Sequence, residues 1–149
     1  MSITFLQEPN SYKEIADVWW VGQTVTLDID TKLYYLYFEA YYSLDRNPIF
    51  CDVYLTDSSH HPVGSPLASA KCQIWPYETH QRRMRRRFYF GVLPMEAGVE
   101  YFFLIHDETL TWHLNSRIYT REGDSIYPGG MLYYSENSVK PGLSFLTMI

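Results

Sequence analysis

Residues 33–42 read Leu-Tyr-Tyr-Leu-Tyr-Phe-Glu-Ala-Tyr-Tyr, and aromatic rings occupy both alternating sets of positions. A strand points successive side chains to opposite faces. Tyr34, Leu36, Phe38, Ala40 and Tyr42 then share one face, while Leu33, Tyr35, Tyr37, Glu39 and Tyr41 share the other. A single core can absorb only one of these sets. The second must meet another layer, a subunit or a ligand. The excess of rings runs through the chain, with 14 Tyr, 8 Phe and 4 Trp in 149 residues. Tyr and Trp combine a large apolar body with a polar tip, which suits surfaces that bind.

The remaining sequence is also patterned for strands. Val25, Leu27 and Ile29 alternate with Thr24, Thr26 and Asp28, the mark of a half-buried strand. Ile49, Cys51, Val53 and Leu55 alternate with Phe50, Asp52, Tyr54 and Thr56. The turn residues 57–64 close a hairpin, and Leu67 to Ile74 returns. Further strands are expected at 85–92, 99–106, 110–114, 131–135 and 143–148. Residues 99–106 are apolar on both faces, as in the middle of a sheet covered on both sides. Ser11-Tyr12-Lys13-Glu14 has capping-box spacing, so residues 1–20 read as a short helix or an extended arm before a domain at 21–149. Many short strands separated by turns, with little helix, favour an all-β, antiparallel two-sheet jelly-roll β-sandwich.

At this length one domain is expected, burying roughly 68–70% of the surface of its unfolded chain. Apolar content of 46% and charged content of 19% belong to a globular protein. The opening MSITFLQEPNSYKE lacks a basic stretch followed by an apolar one, so no secretory signal is visible. No apolar run is long enough to span a bilayer, and membrane insertion is not expected. Cytoplasmic synthesis followed by a place in a virion or outside the cell is the expectation. Cys51 and Cys72 fall on adjacent predicted strands, nearly opposite each other, where a disulfide is sterically open. Two buried thiols are the alternative, favoured in a chain without a signal.

Several stretches carry a resemblance. They are Gly22-Gln23-Thr24-Val25-Thr26, Val53-Tyr54-Leu55-Thr56-Asp57, and Pro62-Val63-Gly64-Ser65-Pro66-Leu67-Ala68-Ser69-Ala70. Pro94-Met95-Glu96-Ala97-Gly98-Val99-Glu100-Tyr101-Phe102, Tyr127-Pro128-Gly129-Gly130-Met131-Leu132-Tyr133-Tyr134-Ser135 and Leu143-Ser144-Phe145 complete the set. Together they resemble the jelly-roll, galactose-binding-like accessory modules of extracellular bacterial proteins and phage structural proteins, over about residues 20–149. The resemblance implies a non-catalytic module used for carbohydrate binding, adhesion or particle decoration. It carries over no ligand-binding motif.

Two surfaces are candidates for contact. Arg82-Arg83-Met84-Arg85-Arg86-Arg87 holds five of the 12 basic residues, leaving seven against 17 acidic ones and a net charge of −5. In a strand, Arg83, Arg85 and Arg87 project from one face at intervals of about 6.5–7 Å, with Phe88 and Phe90 entering the core. Such a row suits carboxylates or phosphates; the plainer alternative is a charged edge strand that blocks unwanted pairing. An acidic protein surface fits the chain's charge better than nucleic acid does. Nucleic acid also calls for aromatic rings beside the arginines, and Tyr89 is the evident one on that face. The second surface is Tyr35, Tyr37 and Tyr41, with Phe50 and Tyr54 from the next strand, suited to subunit contact and to homo-oligomer formation. For glycans, Tyr35, Tyr37, Tyr41 and Trp112 are the expected platforms.

Metal and catalytic signals are thin. Asp28 and Asp30 share a face and could help hold a structural calcium, but solvated strand ends usually look the same. No other cofactor is expected. The chain lacks Gly-x-Ser-x-Gly, His-Glu-x-x-His and a phosphate-binding Gly-Lys-Ser/Thr loop. Gly123-Asp124-Ser125 superficially matches a hydrolase nucleophile block, yet all five histidines precede Ser125. A nucleophile needs a positioned base, and none is expected. The expected function is therefore a non-enzymatic structural, decoration or adhesion subunit of a larger assembly such as a phage particle. A carbohydrate-binding module is the alternative.

Overall fold

The computed structural model describes residues 11–14, 20–41, 49–72, 83–107, 117–120, 130–134, 139–141 and 147–148. They form strands β1 (Ser11–Glu14), β2 (Trp20–Thr26), β3 (Thr31–Tyr41), β4 (Ile49–Thr56), β5 (Pro62–Cys72) and β6 (Arg83–Met95). The remaining strands are β7 (Glu100–Asp107), β8 (Arg117–Thr120), β9 (Met131–Tyr134), β10 (Val139–Pro141) and β11 (Thr147–Met148). No helix occurs among the described residues. The strands make two antiparallel sheets. Sheet I runs β1-β8-β3-β11, with β6 also paired to β3; sheet II runs β10-β9-β2-β7-β4-β5. The expected strands at 110–114 and most of 143–148 fall outside the described residues, as does the block at 123–125.

The core lies between the sheets. Sheet I contributes Leu33, Leu36, Phe38, Phe88, Leu93 and Met95; sheet II contributes Val21, Val25, Ile49, Cys51, Val53, Tyr101, Phe103 and Ile105. Phe38 and Phe88 stack at 4.6 Å on sheet I, and Phe90 meets Phe103 of sheet II edge-on at 6.4 Å. As expected, β7 is buried on both faces, with Tyr101, Phe102, Phe103 and Ile105 all inaccessible. It sits in mid-sheet between β2 and β4.

Four expectations are corrected. Ser11–Glu14 is a strand paired with β8, not a helical turn, because ladder pairing with residues 117–120 outweighs a lone cap signal. The half-buried strand expected around Val25 to Ile29 instead runs from Trp20 to Thr26 with Val21 to Val25 fully buried, and Ile29 lies beyond it, exposed. It has neighbours on both sides, β7 and β9, and Gly22 lies against the Phe102 ring. The alternation in β3 is broken between Leu33 and Tyr35, where Phe90, Gly91 and Val92 of β6 face the single residue Tyr34. Gly91 takes φ 74°, a conformation glycine adopts without strain. This bulge turns Leu33 inward with Leu36 and Phe38, and leaves Tyr34 at 42% exposure. Finally, β4 does not lie beside β3: it belongs to the other sheet.

The β4–β5 hairpin forms as expected. Asp57 Oδ1 accepts from the Ser59 and His61 amides at 2.9 and 3.0 Å, and His60 sits at φ 66°. Its Nδ1 bonds both Glu100 oxygens at 2.8 and 2.9 Å, while Thr56 Oγ1 donates to Glu100 Oε1 at 2.7 Å, tying the turn to β7. Cys72 pairs with Ile49 and Cys51 with Ala70, so the cysteines are offset by one pair of residues. Both are buried free thiols.

Candidate functional site

The long pairing of β3 with β6 builds the candidate site. Its register sets Tyr35 opposite Tyr89, Tyr37 opposite Arg87, Glu39 opposite Arg85 and Tyr41 opposite Arg83. Leu36, Phe38 and Phe88 take the inward positions between them, so Tyr35, Tyr37, Tyr89 and Arg87 stand on the outer face of sheet I. Tyr35 is the hub. Its ring lies 6.2 Å from Tyr37 and 5.0 Å from Tyr89, tilted to each, and the Arg87 guanidinium carbon sits 4.9 Å from its centroid. A cation over an exposed ring contributes about 0.5–1 kcal/mol. Tyr89 remains 60% exposed. The rings are therefore ordered by one another yet open to a partner.

The expected residues divide between surfaces. Tyr35, Tyr37 and Arg87 come together. Arg83, Arg85 and Tyr41 continue the same strand register; their side chains lie outside the described set. Tyr89 is not the lone ring beside the arginines, since β3 supplies Tyr35 and Tyr37 on that face. Phe50 and Tyr54 do not join them. They alternate with the inward Ile49, Cys51 and Val53 of β4 and so face outward from sheet II, on the other side of the sandwich. Trp112 lies outside the described residues.

On that second face Phe50 stacks on His106 at 5.7 Å. Asp52 receives Ser69 Oγ at 2.6 Å and pairs with His106 Nε2 at 2.9 Å. The order is Ser–Asp–His, with the carboxylate in the middle. Nucleophilic catalysis needs the imidazole against the hydroxyl, so these contacts cross-link β5, β4 and β7. Burial, and secondarily the Asp52 charge, raises the Tyr54 phenol above its ordinary value. Burial likewise raises the Cys51 thiol, with Asp52 adding to it and a backbone hydrogen bond from Leu104 opposing.

A cleft of about 630 Å³, unforeseen from sequence, lies where β3 begins and β6 ends, lined by Ile29, Asp30, Thr31, Lys32, Tyr34, Pro94, Met95 and Glu96. Asp30 Oδ1 accepts the Ala97 amide at 2.8 Å, Tyr101 Oη accepts the Glu96 amide at 2.9 Å, and Gly98 donates to the Leu27 carbonyl at 2.8 Å. Asp30 thus has a structural role in holding the 94–98 turn. Among the described residues no group of three or more His, Cys, Asp or Glu is arranged to hold a metal ion. The cleft joins the Asp28-x-Asp30 segment to Pro94 and its neighbours, and nothing local in the sequence links the two segments.

No family model and no curated protein matches this chain. Among solved structures it is similar to a CocE/NonD family hydrolase from Staphylococcus aureus, at 9% identity and a TM-score of 0.42. The match covers 96% of this chain and 34% of the hydrolase, so the chain spans about a third of that protein's length. A likeness at that level carries no activity across.

Proposed function

We propose that this chain is a non-catalytic jelly-roll module that serves as a structural, decoration or adhesion subunit of a larger assembly, such as a phage particle. The jelly-roll reading is supported by the way the chain alternates between sheets: β2, β4, β7 and β9 belong to sheet II, and β3, β6 and β8 to sheet I. The observation that carries the functional reading is the outward cluster of Tyr35, Tyr37, Tyr89 and Arg87. Tyr and Arg are the residue types that anchor protein interfaces. Placement in a virion or outside the cell accords with such a role, and no cofactor enters it.

A second reading, a carbohydrate-binding module, is favoured by the same tilted rings. An open tyrosine such as Tyr89 presents a flat face on which a sugar ring can stack.

The test compares wild type with Tyr35→Ala, Tyr89→Ala and Arg87→Ala by sedimentation, by co-sedimentation with particles of the source, and on a glycan array. Weaker self-association or particle binding by the variants supports the first reading; weaker glycan binding by them supports the second. If no binding of any kind depends on these three side chains, both readings fail.

A further inference from the structure

Along the β3–β6 ribbon the chemistry is polarised. At one end stand Asp28, Asp30 and Glu96, all exposed, beside the cleft. The middle carries Tyr34, Tyr35, Tyr37 and Tyr89. The other end carries Arg87 and the positions of Arg85 and Arg83. The strip is balanced about Tyr35: Asp30 lies five residues before it, and Tyr41, opposite Arg83, six residues after it. Even the charges that break the pattern are balanced. Lys32, in the acidic end, lies three residues before Tyr35, and Glu39, in the basic end, lies four after it.

A strip with opposite charges at equal distances from an aromatic centre is complementary to itself after a half-turn. A two-fold contact uses the same patch on both subunits and requires this property. Resting on the reading of this face as a contact surface, we infer that the partner is a second copy of this chain. The two sheet I faces pack with their strips antiparallel, Tyr35 and Tyr89 of both copies near the two-fold axis. The arginine end of each copy then lies over the acidic cleft of the other. Tyr34 and Glu96 line that cleft and offer a guanidinium both a ring face and a carboxylate. Lys32 of each copy approaches Glu39 of the other. The eleven residues of β3 give a strip about 35 Å long. An acidic foreign surface would satisfy the arginines but would leave the opposite acidic end unmatched; a second copy satisfies both.

The test is light scattering and analytical ultracentrifugation across concentration on four proteins. These are wild type; a basic-end variant, Arg85→Glu/Arg87→Glu; an acidic-end variant, Asp28→Lys/Glu96→Lys, which spares Asp30 and its turn; and an equimolar mixture of the two variants. Wild type is expected at twice its 17.6 kDa chain mass. Raising salt from about 0.1 to 1 M, which shortens the screening length from about 10 to 3 Å, weakens it at least tenfold. Each variant alone is expected to be monomeric, and the mixture to recover a dimer, since reversed ends then face each other. Recovery in the mixture shows that both variants fold. A wild-type monomer, or a dimer indifferent to salt and to both variants, overturns the inference. A monomer that binds oligo-thymidylate or a glycan through Tyr35 and Arg87 also overturns it, while leaving the face as a binding surface. A filament in the mixture instead of a dimer replaces the two-fold contact by a head-to-tail one and overturns it as well.

Discussion

Replacing Gly22 by alanine reverses an ordinary expectation. A glycine in mid-strand normally costs about 0.5–1 kcal/mol relative to alanine, because it loses more backbone freedom on folding. Gly22 lies between Leu104 of β7 and Tyr133 of β9, and its φ is not of the left-handed kind. On backbone grounds alone Gly22→Ala should stabilise. The added methyl, however, collides with the Phe102 ring and comes within 3.0 Å of the Trp20 ring. Phe102 is 0% exposed and meets Trp20 edge-on at 5.8 Å, so neither ring can yield without disturbing the other. Overpacking of this kind costs about 1–3 kcal/mol. Offset by the backbone gain, the net loss is about 0.5–2 kcal/mol. Urea unfolding should show a lower midpoint with an unchanged slope. Combining the change with Phe102→Leu, which makes room for the methyl, should cost less than the sum of the two single losses, by about 0.5 kcal/mol or more. A neutral or stabilised Gly22→Ala, or strict additivity in the double variant, would refute the placement of the ring.

Other consequences follow from particular contacts. Phe38→Ala removes a fully buried ring stacked on Phe88 and should cost about 3–5 kcal/mol in the same unfolding assay. A double-mutant cycle on Tyr35 and Arg87, read by unfolding, should give a coupling of about 0.5–1 kcal/mol. The His61 and Ser59 amides and the neighbouring histidines hold the Asp57 carboxyl below its usual value, the His61 amide most strongly. A depressed carboxyl stabilises the fold above its unfolded pKa and loses that contribution as pH falls through the folded one. Asp57→Asn should therefore flatten the part of the stability–pH curve below about pH 4, and the Ser59 and His61 amide resonances should move in that range in wild type only. Cys51 is buried and its thiol pKa raised, so at pH 8 a thiol reagent should modify it only at the rate of unfolding.

Much of the fold is legible in local pattern. The alternation of Ile49 to Thr56, the doubly apolar Glu100 to Asp107, the turn at 57–61 and the inward Phe88 all follow from a two-residue period or from turn chemistry acting over a few residues. The candidate site is legible only in pieces. Arg83, Arg85 and Arg87 are readable as a row and Tyr35 and Tyr37 as a surplus, but nothing local announces that the two rows adjoin. Tyr35 and its partner Tyr89 are 54 residues apart, and their pairing depends on how the intervening hairpin packs into the other sheet.

What the chain determines by itself, then, is that it folds as strands, and that its rings outnumber the places one core can offer. Which rings stay outside is a tertiary decision. The bulge opposite Tyr34 shifts the alternation by one residue, burying Leu33 and exposing Tyr34. The assignment of β4 to the second sheet sends Phe50 and Tyr54 to the far side of the molecule. Side-chain direction in a strand is a local property, but the identity of the neighbouring strand is set by the summed burial of residues distant along the chain.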